Sequence, residues 1–242
     1  MTHLRPRDLL FLLLVVAVGG SCLRLGFWQL ERLRERRARN AAIAAQLARP
    51  ALALPGDALE ATAHAFRRAV ARGHFDPAYS LRLTGRAREG VPGFHLVTPL
   101  LLESDGPALL VVRGWLAHDA DEAAPGSAPA GVIDVAGVLR PPPETPGWAF
   151  LADPTPAPGA PFRRDWRLLS LEALSRQSPA PLLPLILEAD HLTAPPDAIP
   201  VSSVDLSEGS HLSYAIQWFA FATIAAVGGA VWLRARIRRP SP

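Results

Sequence analysis

The sequence has very little of three kinds of residue on which common protein chemistries depend. It contains a single cysteine, Cys22, which excludes an internal disulfide, a paired-cysteine redox site and a cysteine-rich metal site. It contains no lysine, and all 25 basic residues are arginine, so a lysine base, a Schiff base and a P-loop lysine are excluded. Charged residues make up only 19% against 49% hydrophobic residues. That balance is too apolar for a disordered chain and high for a soluble enzyme.

Motifs of the common enzyme classes are also missing. The sequence has no GxSxG, HExxH, GxGxxG, Walker or DxDxDG pattern. The run HDADE from His118 to Glu122 contains metal-ligating residue types, but it lies in a turn-like stretch and is expected to be a solvated loop. The motif search therefore predicts no catalytic site of these classes.

The net charge of +3 is spread unevenly along the chain. Residues 1–39 carry +5, residues 40–211 carry −6 and residues 212–242 carry +4. The positive charge lies beside the two most apolar segments, whereas the middle is acidic. This placement is typical of membrane topology signals and not of a phosphate-binding face, so we expect a lipid bilayer as partner and no nucleic acid.

The first apolar segment predicts a transmembrane helix over residues 9–28, after a cytoplasmic N-terminus of residues 1–8. Its 17 residues from Leu9 to Leu25 would extend about 26 Å as a helix, the short end of a bilayer span. Trp28 follows at the position of an interfacial aromatic residue. Two alternatives stay open, a cleaved signal peptide and a lipoprotein cysteine at Cys22.

The second apolar segment predicts a transmembrane helix over residues 211–233, followed by a basic cytoplasmic tail over residues 234–242. The 20 residues from Tyr214 to Leu233 are long enough to cross about 30 Å. The arginines of the tail indicate a cytoplasmic end. Two spans return the chain to its starting side. The arginines of residues 32–39, just after the first span, indicate the opposite orientation, with both termini outside. Because a long loop can be translocated despite flanking charge, we expect both termini inside and the middle outside a bacterial inner membrane.

Residues 29–64 are predicted to be a helical connector that continues the first span. The stretch ERLRERRARNAAIAAQLA is rich in helix-forming residues, and Glu35 can pair with Arg39 at i,i+4 spacing. Its charges are interpreted as a solvated face and not as a binding site.

The region of residues 65–210 predicts a β-rich domain, either a small barrel or a sandwich. Its apolar or alternating runs are separated by turns rich in glycine, proline and aspartate. The predicted strands are Phe66–Phe75, Ser80–Arg86, Phe94–Leu102, Leu109–Leu116, Val132–Leu139 and Leu182–Glu188. The predicted fold class is membrane α+β, with N- and C-terminal transmembrane helices flanking a β-rich extracytoplasmic domain.

Three local features complete the prediction for this domain. Residues 141–161 form a proline-rich loop. A short helix is expected over Trp166–Gln177, with Asp165 as its N-cap and several leucines on one face. Trp115, in an RGW element after a buried strand, is expected to close the core.

Residues at the start of the second span have a pattern suited to ligand binding. Helical spacing places His211, Tyr214 and Trp218 on one face, together with Ala215 and Ala222. An imidazole binds iron, small residues let a flat ring approach, and aromatic side chains line it, so the pattern would suit an axial ligand to an apolar macrocycle. The alternative is that the histidine and the aromatic residues simply mark the membrane interface.

Four motifs occur in order between the two spans: GFWQLERLRER, FHLVTPL with LLVVRGWL, GVLRPPP, and HLSYAIQWFAFA. Together they resemble the surfeit locus protein 1 family of cytochrome c oxidase assembly factors, over roughly residues 20–232. The resemblance implies an integral membrane protein with a β-rich periplasmic domain. It also implies a role that is not enzymatic, in which the haem a–copper subunit of the terminal oxidase is helped to acquire haem a.

The resemblance also implies which residue binds the cofactor. The family's suspected haem ligand is the histidine that opens the second span, so His211 is expected to bind the iron of haem a. Tyr214 and Trp218 would border the macrocycle, and Trp28 would close the far side, with Gln29 at the same depth. The expected partners are the catalytic subunit of cytochrome c oxidase and haem a synthase, besides the lipid bilayer. Two alternatives are a membrane-tethered periplasmic interaction domain without a cofactor and a membrane enzyme of haem modification.

Overall fold

A computed structural model describes residues 5–54, 65–102, 106–118, 128–142, 153–157, 159–190, 198–201 and 204–238. The chain divides into two compact units. The helical unit comprises Met1–Ala42 and Leu206–Pro242, and the β unit comprises Ile43–Asp205. In chain order the elements are α1 (Pro6–Leu47), β1 (Leu52–Leu54), β2 (Arg68–Phe75), β3 (Leu81–Arg88), β4 (Val91–Leu102), β5 (Ala108–Ala117), β6 (Ile133–Arg140), β7 (Asp165–Trp166), α2 (Leu171–Ser175), β8 (Leu182–Ala189) and α3 (His211–Arg238).

Within the described residues, α1 and α3 are the helices long and apolar enough to cross a membrane. In the most apolar 18-residue window of each helix, only 11% is buried, whereas the core helix of a soluble protein is mostly buried. Large apolar side chains such as Leu10, Val16 and Ile224 are exposed, which suits contact with lipid. The two candidate transmembrane helices stand at either end of the sequence and flank the β-rich domain, as predicted.

Five strands of the β unit close into a barrel, so the barrel alternative is confirmed. The order around the barrel is β2, β6, β8, β5 and β4, and β4 pairs back onto β2. All these pairings are antiparallel except β5 with β8. Gly73 lies at the closing pair, where a Cβ would collide with the carbonyl oxygen of Leu101. Glycine is therefore needed for the two strands to meet, and closure removes their free edges.

The alternating strands bury one face inside the barrel, whose core is aliphatic apart from one phenylalanine. This core consists of Leu54, Ala69, Ala71, Phe75, Leu100, Leu102, Leu109, Val111, Val135, Leu139, Leu185, Leu187 and Ala189. A second apolar layer covers the outside of β3, β4, β5 and β8, with Trp166, Leu169 and Leu174 packed against those strands. Strand β5 is buried on both faces, which accounts for its unbroken apolar run.

The six predicted strands are present, with ends displaced by at most three residues, but the predicted helix over Trp166–Gln177 was wrong at its start. Asp165 belongs to β7 and accepts two hydrogen bonds from Arg82, of 2.6 and 2.8 Å. The helix is limited to α2, and its N-cap is Ser170, whose hydroxyl accepts a backbone hydrogen bond of 3.2 Å. Trp166 is fully buried, so tertiary packing holds this segment extended.

The predicted helical connector is also shorter than residues 29–64. Helix α1 ends at Leu47, just before Pro50, which cannot continue a helix. The chain then forms β1, parallel to β2, and Leu54 is buried in the barrel core. Glu35 binds Arg32 at 2.6 Å, not the predicted Arg39. Residues 55–64, residues 119–122 of the acidic run, and residues 143–152 and 158 of the proline-rich loop lie outside the described residues.

Candidate functional site

Helices α1 and α3 pack against each other through small residues. A Cβ on Gly26 would lie 2.7 Å from the ring of Phe219, and a Cβ on Gly229 would lie 2.8 Å from Val15. Along α3 the buried residues recur every seven positions, at Ala215, Ala222 and Gly229. In lipid, where apolar burial gives little drive for association, such small residues let two helices approach closely.

His211, the first residue of α3, meets α1 at the end of this helix pair. Its Nδ1 lies 2.8 Å from Oε1 of Gln29, and the ring is partly buried. Tyr214 is 49% exposed, and Trp218 is half-buried with its ring edge-on to Phe221 at a centroid distance of 6.0 Å. Helical spacing keeps the predicted His211, Tyr214 and Trp218 on one side of α3.

The structure gives the other members of the predicted pattern different surroundings. Ala215 and Ala222 are buried in the helix pair, so they are not an open surface for a flat ring. Trp28 is 53% exposed and lies two positions, or about 200° of helical rotation, from Gly26, which faces α3. The residue that α1 brings to His211 is therefore Gln29 and not Trp28.

A set of polar contacts, here called the polar clamp, holds the segment that leads into α3. Its members are Arg36, Arg37, Asn40, Leu206, Ser207 and Glu208. Arg37 donates two hydrogen bonds of 2.8 Å to the carboxylate of Glu208, and these hold the pKa of that carboxyl below its ordinary value. The backbone carbonyl oxygens of Leu206 and Ser207 accept hydrogen bonds from Asn40 and Arg36.

Sequence reasoning missed the polar clamp because it assigned the arginines of α1 to a solvated face. The sequence does contain a sign of this contact. Glu208 is an acidic residue just before the second apolar segment, and an arginine-rich stretch follows the first apolar segment. When two apolar helices run antiparallel, the end of the first lies beside the start of the second. Opposite charges at these two ends can then pair.

The other end of the helix pair is also tied by charge and by aromatic contact. Arg236 donates a hydrogen bond of 3.2 Å to Asp8, which also accepts one of 3.0 Å from the backbone of Arg5. The rings of Phe11 and Trp232 lie next to this pair, with centroids 4.5 Å apart. Both ends of the two helices are thus fixed to each other.

The chemistry at His211 fits an iron ligand. Gly209 has φ +70° and lies beside the ring, since a Cβ on it would lie 3.9 Å from Nε2 of His211. Cys22, the other soft ligand type, is buried. Within the described part of the chain no three metal-ligating side chains cluster, so the arrangement there is a single imidazole and not a multi-residue metal centre.

The RGW element of the β unit has a structural role. Arg113 is 1% exposed, its guanidinium lies 5.1 Å from the ring centroid of Phe75, and burial lowers its pKa to about 10. Trp115 is buried, as predicted, and its indole N–H donates a hydrogen bond of 2.9 Å to the carbonyl of Arg86. Its ring lies over Gly93, so Trp115 packs across the β3–β4 hairpin and not inside the barrel.

Two apolar helices and a closed five-stranded barrel define a class of membrane-associated barrel protein with an ordered histidine at the start of its second helix. Residues 16–223 match the SURF1 family. Surfeit locus protein 1 of Mus musculus is 26% identical over 246 residues, covering 95% of this chain and 76% of that protein. The chain therefore belongs to the SURF1 family, a family of cytochrome oxidase assembly factors and not of enzymes.

Bacterial relatives show the same likeness. An uncharacterized SURF1-like protein of Mycobacterium bovis is 27% identical, covering 97% of this chain and 86% of that protein. A SURF1-like protein of Rickettsia felis is 34% identical over 110 residues, covering 44% of this chain and 46% of its own length.

Proposed function

We propose that this protein is an assembly factor for the haem a–copper subunit of cytochrome c oxidase, and that it binds or presents haem a at the outer face of a bacterial inner membrane. The observation that carries the proposal is the position of His211, tied to Gln29 at the entrance of α3 with its Nε2 edge beside Gly209. Membership of the SURF1 family supports the assembly role.

In this proposal the haem supplies the redox iron that the oxidase later uses. His211 provides one imidazole nitrogen for that iron, and Tyr214 and Trp218 border the macrocycle from the same side of α3. Trp28, which lies about 200° around α1 from Gly26, is not assigned a contact with the macrocycle. The protein acts by binding and release, with the catalytic oxidase subunit and haem a synthase as its partners.

Co-expression with the haem a pathway tests this assignment. His211→Ala should shift or abolish the Soret band of bound haem, while the protein remains in the membrane at normal levels. His74→Ala, a change at an exposed position of β2, is the matched control and should leave the spectrum unchanged. An unchanged spectrum in His211→Ala would show that His211 is not the ligand.

A second candidate function is a membrane-tethered interaction domain that stabilises an assembly intermediate without a cofactor. The burial of Ala215 and Ala222 in the helix pair favours it, because this small-residue surface already has a protein partner. Purified protein that never carries haem a, together with loss of oxidase assembly on deletion of the gene, would favour this alternative over haem binding.

The proposal also requires both termini in the cytoplasm and residues 40–211 outside. The arginines that follow the second span support this orientation. A reporter that is active only in the periplasm should be active when inserted near Gly126 and silent when fused after Arg239. The reverse result would move His211 to the cytoplasmic interface and refute the orientation.

A further inference from the structure

The contact between His211 and Gln29 determines which ring nitrogen carries the proton. Oε1 of Gln29 lies 2.8 Å from Nδ1 of His211. An amide oxygen accepts hydrogen bonds and cannot donate them, so a hydrogen bond with Oε1 as acceptor forms only when Nδ1 of the neutral imidazole carries the proton. The lone pair of the ring then lies on Nε2, on the opposite edge.

Gly209 lies beside the edge of the ring that carries Nε2. A Cβ on Gly209 would lie 3.7 Å from Cδ2 and 3.9 Å from Nε2 of His211, and Gly209 has φ +70°, which other residues rarely adopt. Among the residues that the structure describes, none donates a hydrogen bond to Nε2. In the Nδ1–H tautomer, the lone pair of Nε2 therefore accepts no hydrogen bond from these residues.

Both partners of the hydrogen bond are held by their surroundings. Gln29 lies one turn from Gly26, whose contact with Phe219 fixes the spacing between α1 and α3. The polar clamp fixes the residues that precede Gly209, so the start of α3 cannot slide along α1. Because other contacts hold both residues in place, the hydrogen bond can fix the orientation of the His211 ring.

We propose that Gln29 is a positioning residue that fixes His211 as the Nδ1–H tautomer, so that Nε2 is the nitrogen that binds iron beside Gly209. This inference rests on the proposed function, because it assigns an orientation to the same ligand. A hydrogen bond from the distal ring nitrogen to a fixed acceptor selects the tautomer and raises the basicity of the ligating nitrogen. Gln29 would thus strengthen haem binding without touching the haem.

The first measurement needs no haem. Protein labelled with 15N-histidine in lipid nanodiscs should show the Nδ1–H tautomer for His211, assigned by its loss in His211→Ala. Gln29→Leu removes the acceptor and should convert His211 to the Nε2–H tautomer or to a mixture. Gln29→Glu keeps an acceptor at the same position and should preserve the Nδ1–H form. If Gln29 had a purely structural role, the His211 tautomer would be the same in the unmodified protein, in Gln29→Leu and in Gln29→Glu.

The second measurement is titration of the solubilised full chain with purified haem a. Gln29→Leu should weaken binding by about 10- to 100-fold, the usual effect of losing a partner behind a metal ligand, and Gln29→Glu should restore it. Gln217→Leu makes the same change at an exposed position of α3 and is the matched control for effects on insertion and folding.

The outcomes separate this inference from the proposed function. Unchanged tautomer and unchanged haem affinity in Gln29→Leu, with His211→Ala unable to bind haem, would overturn the positioning role and leave the ligand in place. Haem binding that survives in His211→Ala, or its absence from the unmodified protein, would overturn the proposed function and the orientation together.

Discussion

The helical unit and the β unit achieve close packing with opposite kinds of side chain. In the barrel, leucines and valines such as Leu109, Val111 and Leu187 are fully buried against one another. In the helix pair, the close contacts are made at glycines, as where Gly26 receives Phe219. Burial of apolar surface from water contributes about 25 cal/mol per Å², whereas lipid is as apolar as the side chains and adds little. Glycine contacts therefore suit two candidate membrane helices, whereas a large aliphatic core suits a domain in water.

The two units also treat charge differently. The β unit buries the Arg113 guanidinium over an aromatic ring. The helical unit keeps its charges at the two ends of the helices, where Asp8 binds Arg236 and Arg37 binds Glu208. Charges at a helix end remain close to water and to headgroups, so they can tie helices together without crossing the bilayer core.

The largest expected effect tests packing in the β unit. Trp115→Ala removes a buried indole and its hydrogen bond to Arg86, and should lower the free energy of unfolding by roughly 3–5 kcal/mol. Thermal and denaturant unfolding of the full chain in detergent measures this loss. Val132→Ala, at a half-exposed position, should change stability by less than about 0.5 kcal/mol. Equal effects of the two changes would contradict the burial of Trp115.

A smaller effect is expected where helix packing depends on a missing side chain. Gly26→Val places atoms where the Phe219 ring lies and should destabilise the helix pair by about 1–3 kcal/mol. Gly20→Val is the matched control, since a Cβ on Gly20 meets nothing within 4 Å.

The yield of a disulfide between cysteines placed at Gly19 and Ala225 reports the helix spacing. The 3.9 Å from a Cβ on Gly19 to that of Ala225 suits such a bond, and Cys22→Ser removes the competing thiol. The yield should fall with Gly26→Val and not with Gly20→Val. If both reduce it equally, Gly26 is not the contact that sets the spacing.

Between about pH 6.5 and 4, a pH effect on stability is expected in the β unit. Burial, aided by the nearby charge of Arg86, lowers the pKa of His95 from 6.5 to about 4. Between these values the unfolded chain binds more protons than the folded one, so the stabilisation present above pH 6.5 is lost as the pH falls towards 4. With allowance for screening, the loss should be about 2 kcal/mol. His95→Gln should flatten this slope of stability against pH, and His74→Gln, at an exposed position, should not.

The smallest expected effect is at the polar clamp. Arg37 and Glu208 are about half-exposed, so water screens their ion pair and its contribution to stability should be small despite its two short hydrogen bonds. A double-mutant cycle with Arg37→Gln and Glu208→Gln, read from unfolding of the helical unit, measures this coupling. The double variant Arg37→Glu with Glu208→Arg, which swaps the two charges, should restore part of this coupling. A coupling as large as the loss measured for Trp115→Ala would show that the pair is shielded from water.

Much of the barrel was predictable because its strands carry local alternation. Strand β2 shows a strict exposed–buried pattern, and β5 is an unbroken apolar run, so both were placed within a few residues. Strands β1 and β7 were missed because two or three residues carry no periodicity. Asp165 was misread as a helix cap because its true partner, Arg82, is distant in the sequence and belongs to a strand.

The candidate site was predictable only in part. Helical spacing placed His211, Tyr214 and Trp218 on one side of α3 and put Gln29 at the depth of His211. The contact between Gln29 and His211 joins residues 182 positions apart, so no local pattern encodes it. The burial of Ala215 could not be predicted from the sequence either, because small residues suit both a ligand-binding surface and a contact between helices.

The ties at both ends of the helix pair have a consequence for the conformational entropy of the chain between the helices. Ile43–Asp205 begins and ends at two helices that the polar clamp and the Asp8–Arg236 pair hold together. When the barrel unfolds, its chain remains a closed loop and has fewer conformations than a chain with free ends. The helix pair therefore acts on the barrel as a noncovalent cross-link, which raises the free energy of the unfolded state and leaves the first and last strands near each other when refolding begins.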